Sequence, residues 1–397
     1  MGKQRIEDLA LFGGASTFQR LRPIAQLERP DRARFLAHLS RIDRRGPTPV
    51  LVPELEARLA RFHDVPHVVA VSNACVGLLY LLHVAAGGKR GEVLMPAMTY
   101  AGLPHLAVWA GQTPRFCDVL EATHTLDPES VRGAITPSTT AILPVHNVNS
   151  PCEIREFEAL SAESGVPLIF DAVHALGSSY AGRRVGSHGM AEVFSLHATK
   201  LLNGFEGGYV ATRDGALAER LRGMRDAGDC SEPRGLDGRL NEVHAAMALS
   251  SLDDLEGVFD RNLQRFERYV RHARESEWLD VLPYRSGEAH NYEFAIHRVD
   301  PDSPLTRNQW VHLLRSEMAG AEAYYNPPLH RTAHRPQDTE MPHLPVTDEL
   351  THRFMHMPVG ATVSLGDIDE IGSLVRFIEH RADEIAARMA PLSREVA

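Results

Sequence analysis

From His67 to Thr212, seven short apolar runs alternate with stretches of helical spacing, and no other feature of the chain limits its fold so strongly. The runs are His67–Ser72, Glu92–Met98, Pro114–Val119, Thr140–Val145, Pro167–Ala172, Glu192–His197 and Gly208–Thr212. Helical patterns at Val76–Ala86, Ala101–Ala110 and Ile154–Ser164 lie between them. Such alternation argues for an α/β layer with a mixed, mostly parallel seven-stranded sheet between helices. From Asn241 the pattern becomes one long helix, with Leu252, Leu255, Phe259, Leu263, Phe266 and Val270 on a single apolar face. That face reads as packing within its own domain, with a dimer seam as the alternative. Tyr292–Val299, a helix at Thr306–Met318 and a last helix from Asp367 suggest a smaller α+β domain. The expected division is a large domain with an N-terminal arm over residues 1–250 and a small C-terminal domain over residues 251–397.

With 397 residues, 43% of them apolar and 24% charged, the chain has enough material for a buried active site and lacks the bias of disordered or fibrous sequences. Its net charge of −10, with no basic stripe, argues against nucleic acid as a partner. The stretch from Val65 to Gly88 carries no Asp, Glu, Lys or Arg, but Ser72-Asn73 breaks it and it changes from β to helical character, so no membrane span is expected. The start of the chain lacks an apolar signal core, and Cys75, Cys117, Cys152 and Cys230 form no CxxC pair, which together point to the cytoplasm.

The 42 basic residues include only three lysines, Lys3, Lys89 and Lys200. Arginine serves surface charge as well as lysine does, but it cannot lose a proton and attack a carbonyl. Lys200 sits just past an apolar run, in Ser195-Leu196-His197-Ala198-Thr199-Lys200, with Asn203-Gly204-Phe205-Glu206-Gly207-Gly208 behind it. In open α/β sheets ligands bind beyond the carboxyl ends of strands. Three further places qualify: the turn Ser72-Asn73-Ala74-Cys75, whose helix N-terminus can receive an anion; Asp171, at the end of a buried run, with His174 three residues on; and Tyr100, after Pro96-Ala97-Met98-Thr99. Alone, most strand-to-helix turns bind nothing, Asp171 is as well explained by a cap or an ion pair, and His174 and Tyr100 are better explained by a satisfied hydrogen bond and by packing. Together they provide what pyridoxal 5'-phosphate requires: an amine for its aldehyde, a carboxylate for its ring nitrogen and an anion nest for its phosphate. There is no P-loop and no GxGxxG fingerprint. The pairs His330/His334 and His352/His356 lack HExxH or a third ligand, so no metal is expected.

At these residues the sequence resembles the DegT/StrS-type nucleotide-sugar aminotransferases, which are fold-type I pyridoxal-phosphate enzymes. The resemblance runs through Leu11-Phe12-Gly13-Gly14, Ser72-Asn73, Phe116-Cys117-Asp118-Val119, Thr125-Leu126-Asp127-Pro128, Phe170-Asp171-Ala172 and Phe194–Lys200 with Phe205-Glu206-Gly207-Gly208. It continues through Asn241–Met247 and Met357-Pro358-Val359-Gly360. The lysine segment looks most like the branch that aminates C4 of nucleotide-linked 4-keto-6-deoxyhexoses. The resemblance implies Lys200 as the lysine that carries the cofactor and moves protons, Asp171 against the pyridine nitrogen, His174 near the phenolic oxygen and Tyr100 stacked on the ring. Ser195 and the amides of Ala74 and Cys75 would take the phosphate, and Tyr324, Tyr325 and His330 would lie near the sugar nucleotide. It further implies glutamate as amino donor and a homodimer with sites at the interface.

Three departures surround this set. Ala74-Cys75 stands where the family has Gly-Thr, Asp226 where an Asn would reach the neighbouring subunit's phosphate, and Asn149 where a Gly is common. Arg225 is the cation expected to offset Asp226, and Asn149 is expected to take a left-handed backbone. Two other readings stay open: a sugar dehydratase or lyase on the same cofactor fold, and a non-catalytic cofactor-binding protein. Retention of Lys200 argues against the dehydratase branch in which His replaces the lysine. A nicotinamide-dependent oxidoreductase lacks its glycine fingerprint.

Overall fold

The computed structural model describes residues 3–24, 30–42, 49–226, 235–323, 325–332 and 341–390. Each of the seven apolar runs forms a strand: β1 His67–Val71, β2 Glu92–Pro96, β3 Thr113–Cys117, β4 Thr139–Ile142, β5 Ile169–Asp171, then β8 Ala191–Ser195 and β9 Gly208–Thr212, with a two-residue hairpin, β6 Ser179–Tyr180 and β7 Arg183–Arg184, between. The order β3-β2-β4 is hydrogen-bonded on one side and β1-β9-β8-β5 on the other. Parallel bridges Ile142–Leu168 and Val145–Asp171 join the two halves into one seven-stranded sheet. All neighbours are parallel except β9, which runs antiparallel to both β1 and β8. The strands are buried almost throughout, which is why they read as continuous apolar runs.

The carboxyl ends of β1, β5 and β8 converge, and this convergence builds the site. After β1, Asn73 caps the helix Ala74–Ala86 by accepting the Val76 amide at 2.9 Å. Gly77 lets that helix settle on the sheet, since a Cβ there would already meet Val210 at 3.1 Å and Val193 at 3.4 Å. At Gly208 a Cβ would run into the backbone nitrogen of Ala74. Gly208→Ala is therefore expected to push β9 off the helix start and cost about 1–3 kcal/mol, measured by urea unfolding; an unchanged midpoint would contradict this packing.

The long helical pattern from Asn241 is two helices, Glu242–Leu252 and Leu255–Ala273, because the chain bends at Asp253-Asp254. The buried face of the second helix carries Leu255, Phe259 and Phe266 as expected, but also Asn262 and Arg265. These polar groups are tolerated because Arg265 donates to the Val363 carbonyl at 2.9 Å and to Asn262 Oδ1 at 2.8 Å. Leu263 and Val270 fall half-buried beside the buried stripe. The second layer is the antiparallel sheet β10-β11-β13-β12, made of Leu279–Val281, Ala295–Val299, Phe354–Met357 and Glu322–Ala323. The helices Arg307–Ser316 and Leu365–Glu379 cover it, each opened by a capping box, Thr306 with Gln309 and Ser364 with Asp367. Ile6, Leu9 and Phe18 from the start of the chain join this second core beside Trp310, Leu313 and Leu314. Among the described residues no helix is long and apolar enough to cross a membrane.

Candidate active site

A cavity of about 550 Å³ opens at the carboxyl ends of β1, β5 and β8. Its wall includes Ala74 and Cys75 from the first turn of the helix after β1, Tyr100 from the turn after β2, Asp171 and His174 from the end of β5, Ser195 and Lys200 from the end of β8, and Tyr325. Eight residues singled out from the sequence thus share one wall. His330 does not join them: it is fully buried on the short turn Leu329–Arg331, with Nε2 3.1 Å from Asp348 Oδ1. Tyr324 lies outside the described residues.

Lys200 follows a tight turn in which its amide donates to the His197 carbonyl at 2.9 Å. This brings Nζ within 3.4 Å of His174 Nδ1. Asp171 is 3% exposed, and its Oδ1 accepts the Val173 amide at 3.2 Å. Burial raises the Asp171 carboxyl above its ordinary range, while the Val173 amide and the charges of His174, Lys200 and His146 pull it back. His174 is lowered by burial and by Lys200 and raised by the carboxylates of Glu293 and Asp171. The amides of Ala74 and Cys75 open a thirteen-residue helix, where backbone N–H groups have no carbonyl partner one turn back. Ser195 Oγ accepts the His197 amide at 3.2 Å, leaving its own proton available to a ligand. Tyr100 is 56% exposed and its ring lies against Gly102, where a Cβ would collide with it. Tyr325 adopts a φ of +40°, a left-handed conformation rare for an aromatic residue, at the cavity wall.

These elements are shared with known proteins. A model of the DegT/DnrJ/EryC1/StrS aminotransferase family matches residues 40–376. The chain belongs to that family. An Escherichia coli dTDP-4-amino-4,6-dideoxy-D-glucose transaminase is 26% identical over 354 residues, which cover 85% of this chain and 93% of that one. The crystal structure of DesI in the presence of its TDP-sugar product matches with a TM-score of 0.90 at 36% identity, covering 97% of this chain and 99% of that one. Spr1654 of Streptococcus pneumoniae, solved in a PLP form and a PMP form, has the same fold, with TM-scores of 0.82 and 0.81 at 22% identity.

Against this family, the departures around the site have local explanations. Asp226 ends the helix Gly215–Asp226, and Arg225 Nε donates to its Oδ1 at 2.7 Å, so the cation expected from the sequence is in contact. Arg225 also bridges to Glu56 at 3.0 Å and to the Ala70 carbonyl at 3.3 Å, tying this helix end to β1. Asn149 departs from expectation: it is not among the residues with positive φ. Instead its buried Nδ2 donates to the Leu282 carbonyl at 2.7 Å, a side-chain bond that a glycine could not make. The cavity wall also includes Asn73, His197, Thr199 and Glu206, from the same segments that carry the expected residues. Glu293 was not singled out at all. It is 5% exposed, with Oε2 3.5 Å from His174 Nδ1. A carboxylate leading into the apolar run Phe294-Ala295-Ile296 was the available signal, because such a charge needs a buried partner.

Proposed function

We propose that this aminotransferase uses pyridoxal 5'-phosphate to move an amino group from L-glutamate to C4 of a nucleotide-linked 4-keto-6-deoxyhexose. One observation carries the reading: Lys200, Asp171 and the first amides of the helix Ala74–Ala86 line a single cavity. The residues fit the cofactor chemically. A buried carboxylate that accepts the Val173 amide and is pushed upward by its own burial is suited to a cationic N–H partner such as a protonated pyridine. The open amides of Ala74 and Cys75, with the Ser195 hydroxyl, suit a phosphate. Two relatives support the substrate class, the Escherichia coli transaminase through its name and DesI through its TDP-sugar product. The 4-amino group in the first name supports C4.

When bound, pyridoxal phosphate supplies an aldehyde that links to amines and a ring that draws electron density from the amine-bearing carbon. Lys200 would hold that aldehyde and, once displaced by an incoming amine, hold and move a proton at Nζ. Asp171 would keep a proton on the ring nitrogen. His174 would face the phenolic oxygen, Tyr100 the ring, and Tyr325 the sugar side of the cavity. Lys200 would return its proton to the sugar carbon from one face, which fixes the configuration of the new amine.

The test is a visible absorption spectrum of the purified protein before and after glutamate, then after a 4-keto-6-deoxy sugar nucleotide. Glutamate is expected to shift the cofactor band and the sugar to restore it. No shift with glutamate would contradict the reading, and sugar consumption without glutamate would point to a lyase.

We further propose that the enzyme is a cytoplasmic homodimer. The free thiols of Cys75, Cys117 and Cys152 suit a reducing compartment. Leu36, Val50, Phe205 and Val243 are exposed, and their neighbours touch one another: Phe35 packs on Phe205, and Glu242 accepts the Val50 amide. This apolar patch reaches the cavity mouth at Glu206, whose amide donates to His244. Sedimentation is expected to give about twice the 43.9 kDa chain mass, and Val243→Glu to shift it toward the monomer. A native monomer at micromolar concentration would contradict the assignment.

A further inference from the structure

His174 Nδ1 stands between two groups of opposite charge at nearly the same distance: Lys200 Nζ at 3.4 Å and Glu293 Oε2 at 3.5 Å. Lys200 follows β8 in the large sheet, whereas Glu293 leads into β11 of the second layer. Two further contacts fix the arrangement. Asn291 Nδ2 donates to the carbonyls of His174 and Leu176 at 2.9 and 3.0 Å, and Asn291 Oδ1 accepts the Glu293 amide at 3.0 Å. Phe294 meets the imidazole edge-on, with centroids 5.0 Å apart. Glu293 is not part of the cavity wall; the wall residue within ion-pair distance of it is His174.

We infer that the Glu293–His174 pair is the proton acceptor for Lys200, with Glu293 as the positioning residue that makes His174 able to accept. This inference rests on the aminotransferase reading, in which Lys200 must act as a neutral amine. The step is a proton transfer alone. The Nζ–H bond of the Lys200 ammonium breaks, the Nδ1 lone pair of neutral His174 takes the proton, and the amine and an imidazolium result, with the total charge unchanged.

The direction of transfer follows from electrostatics. While Lys200 is charged, its field at Nδ1 opposes that of Glu293 from nearly the same distance, and burial disfavours the imidazolium. Once the lysine charge is gone, the Glu293 carboxylate is unopposed and the imidazolium is held. The other charged or titratable groups around His174 do not change this. Asp171, from β5, adds negative charge and acts in the same sense as Glu293. His356, from β13, is pushed down to about 3 and is neutral in the working range. Tyr325 is raised by burial and by Asp171 and Glu293, and it too is neutral. The second oxygen of Glu293, Oε1, is buried with no hydrogen-bond partner among the described residues, and Oε2 faces the imidazole.

The test follows His174 by NMR in the full-length protein with labelled histidine, the signal being assigned by its loss in His174→Gln. Lys200→Met removes the opposing cation, and the His174 midpoint is expected to rise by roughly one pH unit or more. Adding Glu293→Gln to that variant should abolish the rise. Equal midpoints in the single and double variants would overturn the inference. In the holoenzyme Glu293→Gln should lower kcat about tenfold or more with the KM for glutamate within about twofold, and Glu293→Asp should recover part of the loss. An unchanged kcat in Glu293→Gln would also overturn it. Absence of any glutamate-driven spectral change in the native protein would instead contradict the aminotransferase reading, and the His174 titrations would still decide the coupling.

Discussion

Lys200→Ala is expected to lower turnover by about ten-thousandfold or more, since it removes both the proposed covalent anchor and the group proposed to move protons. The variant should fold, because Lys200 sits in a turn at a cavity wall and no core packing depends on its side chain. Circular dichroism should match the native protein while the visible band of the covalently held cofactor is missing. Arginine at this position should fail equally, because it stays charged and cannot attack an aldehyde. Near-native turnover in either variant would remove Lys200 from the mechanism.

Asp171→Asn is expected to act in opposite directions on activity and stability. Activity should fall by about a hundredfold to ten-thousandfold, since an amide oxygen does not hold a proton on the ring nitrogen as a carboxylate does. The cofactor-free protein should become more stable at neutral pH, because burial raises the carboxyl of Asp171 in the folded state. A group raised on folding contributes its full stability below its unfolded value, here 3.8, and that contribution is lost as pH rises through the folded value. The native cofactor-free protein should therefore lose stability over that interval, and Asp171→Asn should not. Thermal melts across pH, without and with pyridoxal phosphate, check both halves. A variant that melts earlier than the native protein at every pH would show that the carboxylate is structural.

The large sheet was legible because its strands are buried on both faces, so each appears as an unbroken apolar run between turn residues. The short strands of the second layer were not. Leu279–Val281 has an exposed Asp280 in the middle, and Glu322–Ala323 is too short to show a period. The bend at Asp253-Asp254 was hidden because an apolar spacing of three and four continues across it. At the candidate site, Lys200 and Asp171 stood out in the sequence because a rare lysine just past an apolar run and a carboxylate ending a buried run each call for a partner. Glu293 was not, since its partner is 119 residues away in sequence and the pairing exists only once the second layer folds onto the first. His330 carried no sequence signal of its own depth; only the fold shows it paired with Asp348 away from the cavity wall.

With only three lysines in the chain, the central claim can be tested at the level of single residues. Borohydride reduction of the protein after incubation with pyridoxal phosphate, followed by digestion and mass spectrometry, identifies the lysine that carries the cofactor. The account predicts stoichiometric labelling of Lys200 with Lys3 and Lys89 unlabelled. Label on Lys3 or Lys89 in place of Lys200, or no label on any lysine, would contradict it.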